Sequence, residues 1–232
     1  MKPRGGEEEL PAPLRARAPL IRHWIFDLDD TLYDPGTQIF TEVKRRISRY
    51  VERRLGLSRA AAKDLRDRYY REYGATLGGL VAEHDIVAEE YLSMVHGVDL
   101  GRLRRSEALE RVLDELPGDC YIHTNASRQH AERVLGHLGL RSRFADIVDV
   151  VAAGCCPKPQ MGGYELLMER NGIEPGRAIF FEDSAVNLVP ARELGVATVL
   201  VRYGRRRGDE DGAADHVTYD LAGCLRALCR AA

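Results

Sequence analysis

The sequence predicts an α/β protein: a Rossmann-like, doubly wound parallel sheet with a small all-helical domain inserted into it. Three observations predict this. Short apolar runs bounded by turn residues recur along the chain. Helical periods separate the later runs, which is the pattern of a parallel sheet covered on both faces. From residue 36 to residue 105 the chain carries helical periodicity and no convincing strand, a span too long for an ordinary βα connection.

Residues 1–18 mix Pro, Gly and charge with no apolar period, so a disordered tail is expected there. Arg15 and Arg17 break the only stretch that could form a secretory signal, and Glu7, Glu8 and Glu9 count against a transit peptide. The core is expected over 19–35 and 106–232. Its strands read as residues 21–27, 119–123, 147–151, 178–181 and 197–201, with a weaker one at 216–218. Ser127 can cap a helix bearing Ala131, Val134, Leu135 and Leu138, stopped by Gly139. A second core helix, from Gln160 to Arg170, presents Tyr164, Leu167 and Met168. A third runs from Asn187 to Leu194, and a last one carries Leu221, Leu225 and Leu228.

In the insertion, Ile39, Phe40, Val43, Ile47 and Val51 share one helix face. Ser58 can cap a second helix bearing Leu65, Tyr69 and Tyr73, ended by Gly74. Asp85 can cap a third through Ile86, Tyr91, Met94 and Val95. Gly78-Gly79 reads as a hinge or a point of close approach.

Composition narrows the function. The 34 basic and 36 acidic residues leave a net charge of −2, which gives no reason to expect nucleic acid or a membrane surface as partner. No apolar run approaches the roughly 18 residues a membrane span needs. Five cysteines without zinc-ribbon spacing read as reduced thiols of a cytoplasmic protein. Cys155-Cys156 reads as two small apolar side chains at a strand end, and Arg205, Arg206 and Arg207 as part of a charge-balanced exposed loop. Trp24 and His123 are expected in the sheet core.

In open α/β sheets, ligands bind beyond the carboxyl ends of the strands. Asp27, Asp29, Asp30 and Thr31 follow the first strand, Thr124 and Asn125 the second, Lys158 the third, and Glu182, Asp183, Ser184 and Asn187 the fourth. Carboxylates gathered this closely raise one another's pKa unless a cation compensates them. An all-oxygen set suits Mg²⁺, which keeps several waters and shares phosphate oxygens. Helix capping accounts for one or two of these acids, not for acids at two strand ends with a Lys at a third.

In this order, DLDDT, the Thr124-Asn125 pair, Lys158 between prolines and FEDSAVN resemble the haloacid dehalogenase-like superfamily. The resemblance implies that Asp27 is the nucleophile that takes the phosphoryl group, and that Asp29 protonates the leaving oxygen and then activates water. Dehalogenases of the superfamily lack an acid at that second position. Mg²⁺ would be held by Asp27, the main-chain carbonyl of Asp29 and Asp183, with Glu182 bound directly or through water. Thr124 and Asn125 would bind phosphoryl oxygens, Lys158 would stabilise their charge, and Ser184 and Asn187 would orient the ligands. The insertion then corresponds to a cap that selects the leaving group.

Three longer segments, HWIFDLDDTLYDP, YGATLGGLVAEHDI and HTNASRQHAERVLGHLGL, resemble the pyrimidine 5′-nucleotidase branch. That implies hydrolysis of UMP- or CMP-like nucleoside monophosphates. As for assembly, a monomer or a homodimer is expected. Tyr73, Leu77, His84 and Tyr91 are candidates for the base slot, although aromatic residues at helical spacing also serve as packing. Two alternatives stand beside this one. The first is a phosphatase for a small sugar phosphate or phosphoglycolate. The second is a catalytically silent phosphate-binding protein, which would be expected to lack Asp27 or Asp29.

Overall fold

The computed structural model describes residues 8–204 and 214–232. Within them, strands β1 (His23–Phe26), β2 (Asp119–His123), β3 (Phe144–Val148), β4 (Ala178–Glu182), β5 (Ala197–Val201) and β6 (His216–Thr218) form one parallel sheet in the order β3-β2-β1-β4-β5-β6. The chain winds outward from β1 to β3, then returns and winds the other way from β4. β1 and β4, paired from His23 with Ala178 to Phe26 with Phe181, are therefore where the winding reverses.

Strand residues alternate between two cores, as the two-residue period requires. Trp24, Phe26, Ile179 and Phe181 face one side, and Ile25, Ala178 and Phe180 the other. The first face is covered by apolar stripes of α6 (Glu107–Glu115), α7 (Arg128–Leu138) and α10 (Leu221–Ala231). The second is covered by α8 (Met161–Asn171) and α9 (Ala185–Glu193). Trp24 and His123 are buried in the sheet, as expected.

Between β1 and α6 lie four helices: α2 (Ile39–Leu55), α3 (Arg59–Tyr73), α4 (Thr76–His84) and α5 (Ala88–Val95). They share a separate cluster that includes Val51, Tyr69, Leu80, Tyr91 and Val95. The sequence suggested three helices here. The extra one, α4, contains the Gly78-Gly79 pair read as a hinge or a point of close approach. It is a close approach: Gly79 seats the Tyr69 ring, because a Cβ there would lie 2.2 Å from it. Asp85 does not cap α5. It closes α4 in the left-handed region, with φ 47°.

Two further expectations are corrected. Residues 8–18 are not a disordered tail. Ala12–Arg17 form a helix, α1, which begins with Pro at a first-turn position and buries Leu14, while Leu10 and Ala18 join the same core. Glu8 accepts hydrogen bonds from His216 Nε2 at 2.7 Å and Thr218 Oγ1 at 2.9 Å, which ties this segment to β6. Strand three spans 144–148 rather than 147–151. Phe144 packs edge-on against Phe26, and Asp149 turns the chain by accepting from the N–H groups of Arg128 and Ala152. Cys155-Cys156 lies in the turns beyond it, half-buried, with Cys155 at φ 59°. The Arg205–207 loop and residues 1–7 lie outside the described residues. No described helix is long and apolar enough to cross a membrane.

Candidate active site

The first acid sits where β1 stops. The Asp27 N–H still donates to the Phe181 carbonyl at 2.9 Å, so the sheet ladder extends one residue and fixes this side chain at the strand mouth. Glu182 ends the neighbouring β4, and Asp183 follows it. Lys158, on the loop before α8, is only 2% exposed. Its ammonium donates to Asp27 Oδ1 at 2.7 Å, Glu182 Oε2 at 2.6 Å and the His123 carbonyl at 2.8 Å, which uses all three N–H groups.

The electrostatics follow from this burial. Burial and the Glu182 charge push the Asp27 carboxyl up to about 7, with Lys158 opposing them. Burial likewise raises Glu182 to about 7 against the pull of Lys158. The two acids in turn keep the Lys158 ammonium above its ordinary value despite its desolvation. One ammonium cannot neutralise this many carboxylates. Oxygens of Asp27, Glu182 and Asp183 lie within 4.8 Å of one another, a compact all-oxygen set that fits a hard divalent cation such as Mg²⁺. Glu182 accepts one hydrogen bond on each oxygen, from Lys158 Nζ on Oε2 and from the Ser184 N–H on Oε1 at 3.0 Å, which leaves a lone pair on each for an ion or a water.

Asn125 does something the sequence did not show. Its side-chain amide donates to the Lys158 carbonyl at 3.1 Å and accepts from the Lys158 N–H at 2.7 Å. It clamps the Lys loop with one side-chain N–H to spare. Thr124 Oγ1 accepts from the Ala126 N–H at 3.0 Å and can still donate. Gly74 touches the same loop from the insertion. Its φ is +82°, and a Cβ there would fall 2.6 Å from the Lys158 carbonyl. Gly74→Ala is therefore expected to destabilise the protein by about 2 kcal/mol, through left-handed strain and the clash. It should also lower kcat roughly tenfold by displacing Lys158. Melting temperature and steady-state rates check both; unchanged values would mean that the contact does not position Lys158.

Asp29, buried on the other side of the mouth, accepts from the Tyr33 hydroxyl at 2.5 Å and pairs with His130 Nε2 at 2.9 Å, both through Oδ1. Burial pushes its carboxyl up. The His130 ring facing it and its hydrogen bond, with the Tyr33 hydroxyl, pull it back below the usual carboxylate value. Neither Tyr33 nor His130 was singled out from sequence. Tyr33 stands four residues after Asp29, but His130 is 101 residues away and carries no local signal.

Above these groups is a cavity of about 420 Å³ that Asp27, Asp29, Thr124, Asn125, Lys158, Glu182, Asp183, Ser184 and Asn187 all border. The predicted set thus converges on one mouth. Of the four base-slot candidates, Leu77 and Tyr91 line the cavity and Tyr73 and His84 do not. Tyr73 donates to Glu83 at 2.9 Å, and His84 Nε2 lies 2.7 Å from the Tyr69 hydroxyl. The insertion wall also brings Phe40, Lys44, Arg66 and Tyr70, and no acid.

A family model described as haloacid dehalogenase-like hydrolase matches residues 21–195. Phosphate metabolism protein 8 of Saccharomyces cerevisiae is 25% identical over 211 residues, 83% of this chain; the match spans 64% of the yeast protein, just under two thirds of its length. Glyceraldehyde 3-phosphate phosphatase of Methanocaldococcus jannaschii is 23% identical over 208 residues, 83% of this chain and 90% of that protein. Among solved structures, magnesium-bound YfnB of Bacillus subtilis superposes with a TM-score of 0.59 at 17% identity, over 90% of this chain and 98% of that one, a likeness of fold.

Proposed function

The chain belongs to the haloacid dehalogenase-like hydrolases, and from that premise we propose that it is a Mg²⁺-dependent phosphomonoesterase that works through an aspartyl-phosphate on Asp27. The observation that carries this reading is the buried Lys158 ammonium, which bridges Asp27 and Glu182 at the floor of the cavity with Asp183 alongside.

Lys158 holds Asp27 Oδ1, so attack on phosphorus falls to Oδ2. As the new O–P bond forms, the P–O bond to the leaving group breaks, and Asp29, which must first take up a proton because its carboxyl is held below the usual value, supplies the one that oxygen needs. Asp29, now a carboxylate, takes a proton from water as the water attacks the phosphorus, which releases phosphate and restores Asp27. Thr124 and the remaining Asn125 N–H orient the phosphoryl oxygens, and Lys158 stabilises their charge. Asp27, Asp183 and the Asp29 carbonyl would hold Mg²⁺, with Glu182 directly or through water. When bound, the ion offsets phosphate charge that would otherwise repel the attacking carboxylate.

For the leaving group, the reading is a pyrimidine nucleoside 5′-monophosphate. The segments resembling that branch support it. So does a slot of suitable size walled by Phe40, Tyr70, Leu77 and Tyr91. A second reading, an ester of a small hydroxy acid or sugar, has its own support. Lys44 and Arg66 line the cavity without an acid beside them on that wall, and one relative is named as a glyceraldehyde 3-phosphate phosphatase.

Phosphate release from UMP, CMP, AMP, phosphoglycolate and glyceraldehyde 3-phosphate, with and without EDTA, tests both levels. UMP and CMP are expected to turn over fastest, and chelation should abolish the rate until Mg²⁺ is restored. Fastest turnover of a non-nucleotide ester would overturn the pyrimidine reading alone, whereas a rate indifferent to EDTA would overturn the metal.

A further inference from the structure

The general-acid position is built from more than the DLDDT motif. Asp29 Oδ1 meets two donors at once, the Tyr33 hydroxyl at 2.5 Å and the His130 ring at 2.9 Å. A carboxylate oxygen has two lone pairs, and these two donors fill them. The His130 side chain is completely buried in the first turn of α7. Its ring stacks on His96, with centroids 4.5 Å apart and planes 21° apart, and His96 Nδ1 lies 3.1 Å from Ser127 Oγ. The same Ser127 oxygen caps α7 by accepting the His130 N–H at 3.3 Å. The cap of one helix therefore fixes both rings. His130 Nδ1 is buried without a partner while Nε2 faces a carboxylate oxygen, so the ring proton belongs on Nε2.

We infer that Tyr33 and His130 are positioning residues for the proton transfer: by saturating Oδ1 they lock the Asp29 rotamer and leave Oδ2 as the oxygen that gives and takes the catalytic proton. This rests on the reading of Asp29 as the acid and base of the reaction. It adds two residues that do not line the cavity. Without one of the donors, Oδ1 regains a free lone pair, the side chain can rotate, and the proton divides between two oxygens, only one of which faces the leaving group. The loss should then fall on esters whose leaving oxygen needs a proton.

The test is a series of aryl phosphates running from 4-nitrophenyl to 4-methoxyphenyl, read as kcat/KM, which covers the first transfer and is independent of the natural substrate. His130→Ala and Tyr33→Phe are each expected to lower kcat/KM about tenfold for the poorest leaving group and less than about threefold for 4-nitrophenyl, which steepens the dependence on leaving-group acidity. His130→Gln, whose amide N–H can replace Nε2–H, should restore the wild-type slope. In an Asp29→Asn background the His130 and Tyr33 substitutions should add nothing. Parallel loss across the series, or a His130→Ala loss that persists in that background, would overturn the proposal. If Asp29→Asn itself leaves the slope unchanged, the acid assignment fails. If it steepens the slope and neither His130→Ala nor Tyr33→Phe does, only the positioning role fails.

Discussion

Asp27→Asn is expected to lower turnover on the order of 10⁵-fold, the scale seen when an enzyme loses its nucleophile, without lowering the stability of the metal-free protein. The two halves have separate causes. An amide oxygen is too weak a nucleophile to open a phosphate ester. For stability, the sign follows from the Asp27 pKa. In the folded, ion-free protein its carboxyl is raised from 3.8 to about 7, by burial first and then by Glu182. The folded state therefore binds this proton more tightly than the unfolded chain. The resulting stabilisation is full below pH ~4 and is lost as pH rises through about 7. Asn cannot ionise, so above neutrality the ion-free variant should melt at or above the wild type. Phosphate release and thermal melts in EDTA at pH 5 and 8 check it. Near-native turnover would remove Asp27 from the chemistry, and a large fall in melting temperature would mean that its charge holds the fold together.

Lys158→Met is expected to damage both function and fold. Methionine approximates the stem but supplies no charge, so Asp27 and Glu182 would face each other uncompensated. Removing one partner of a buried ion pair costs about 3–5 kcal/mol, and losing a donor aimed at transition-state charge costs about 10²–10³ in kcat. The destabilisation should depend on pH. At pH 5 both acids, already raised to about 7 with the ammonium present, are protonated and need no cation. As pH rises they ionise and the penalty appears. An equal drop in melting temperature at pH 5 and pH 8 would sink this account of Lys158.

How far the sequence could be read depended on where each signal resided. The parallel sheet was legible because Trp24, Phe26, Ile179 and Phe181 sit in short apolar runs, and the strand-end rule then placed Asp27, Lys158 and Glu182 together. α4 was hidden because its two glycines argue against a helix when taken alone. Only the approach of the Tyr69 ring explains why Gly79 is needed. α1 was hidden by charge, although Leu10, Leu14 and Ala18 recur at four-residue intervals and could have revealed it. The contacts of Asn125 with the Lys158 main chain and of His130 with Asp29 join residues 33 and 101 apart, and no spacing rule reaches across the fold in that way.

The attachment of Glu8 to His216 and Thr218 also bears on how the chain is made. These partners are separated by 208 and 210 positions, so the earliest described residues leave the ribosome long before the strand that receives them. Leu10 and Leu14 then wait for the core they share with Leu225 and Leu228 until α10 has emerged. Docking of residues 8–18 is therefore a late, long-range closure that waits until β6 and α10 have been made.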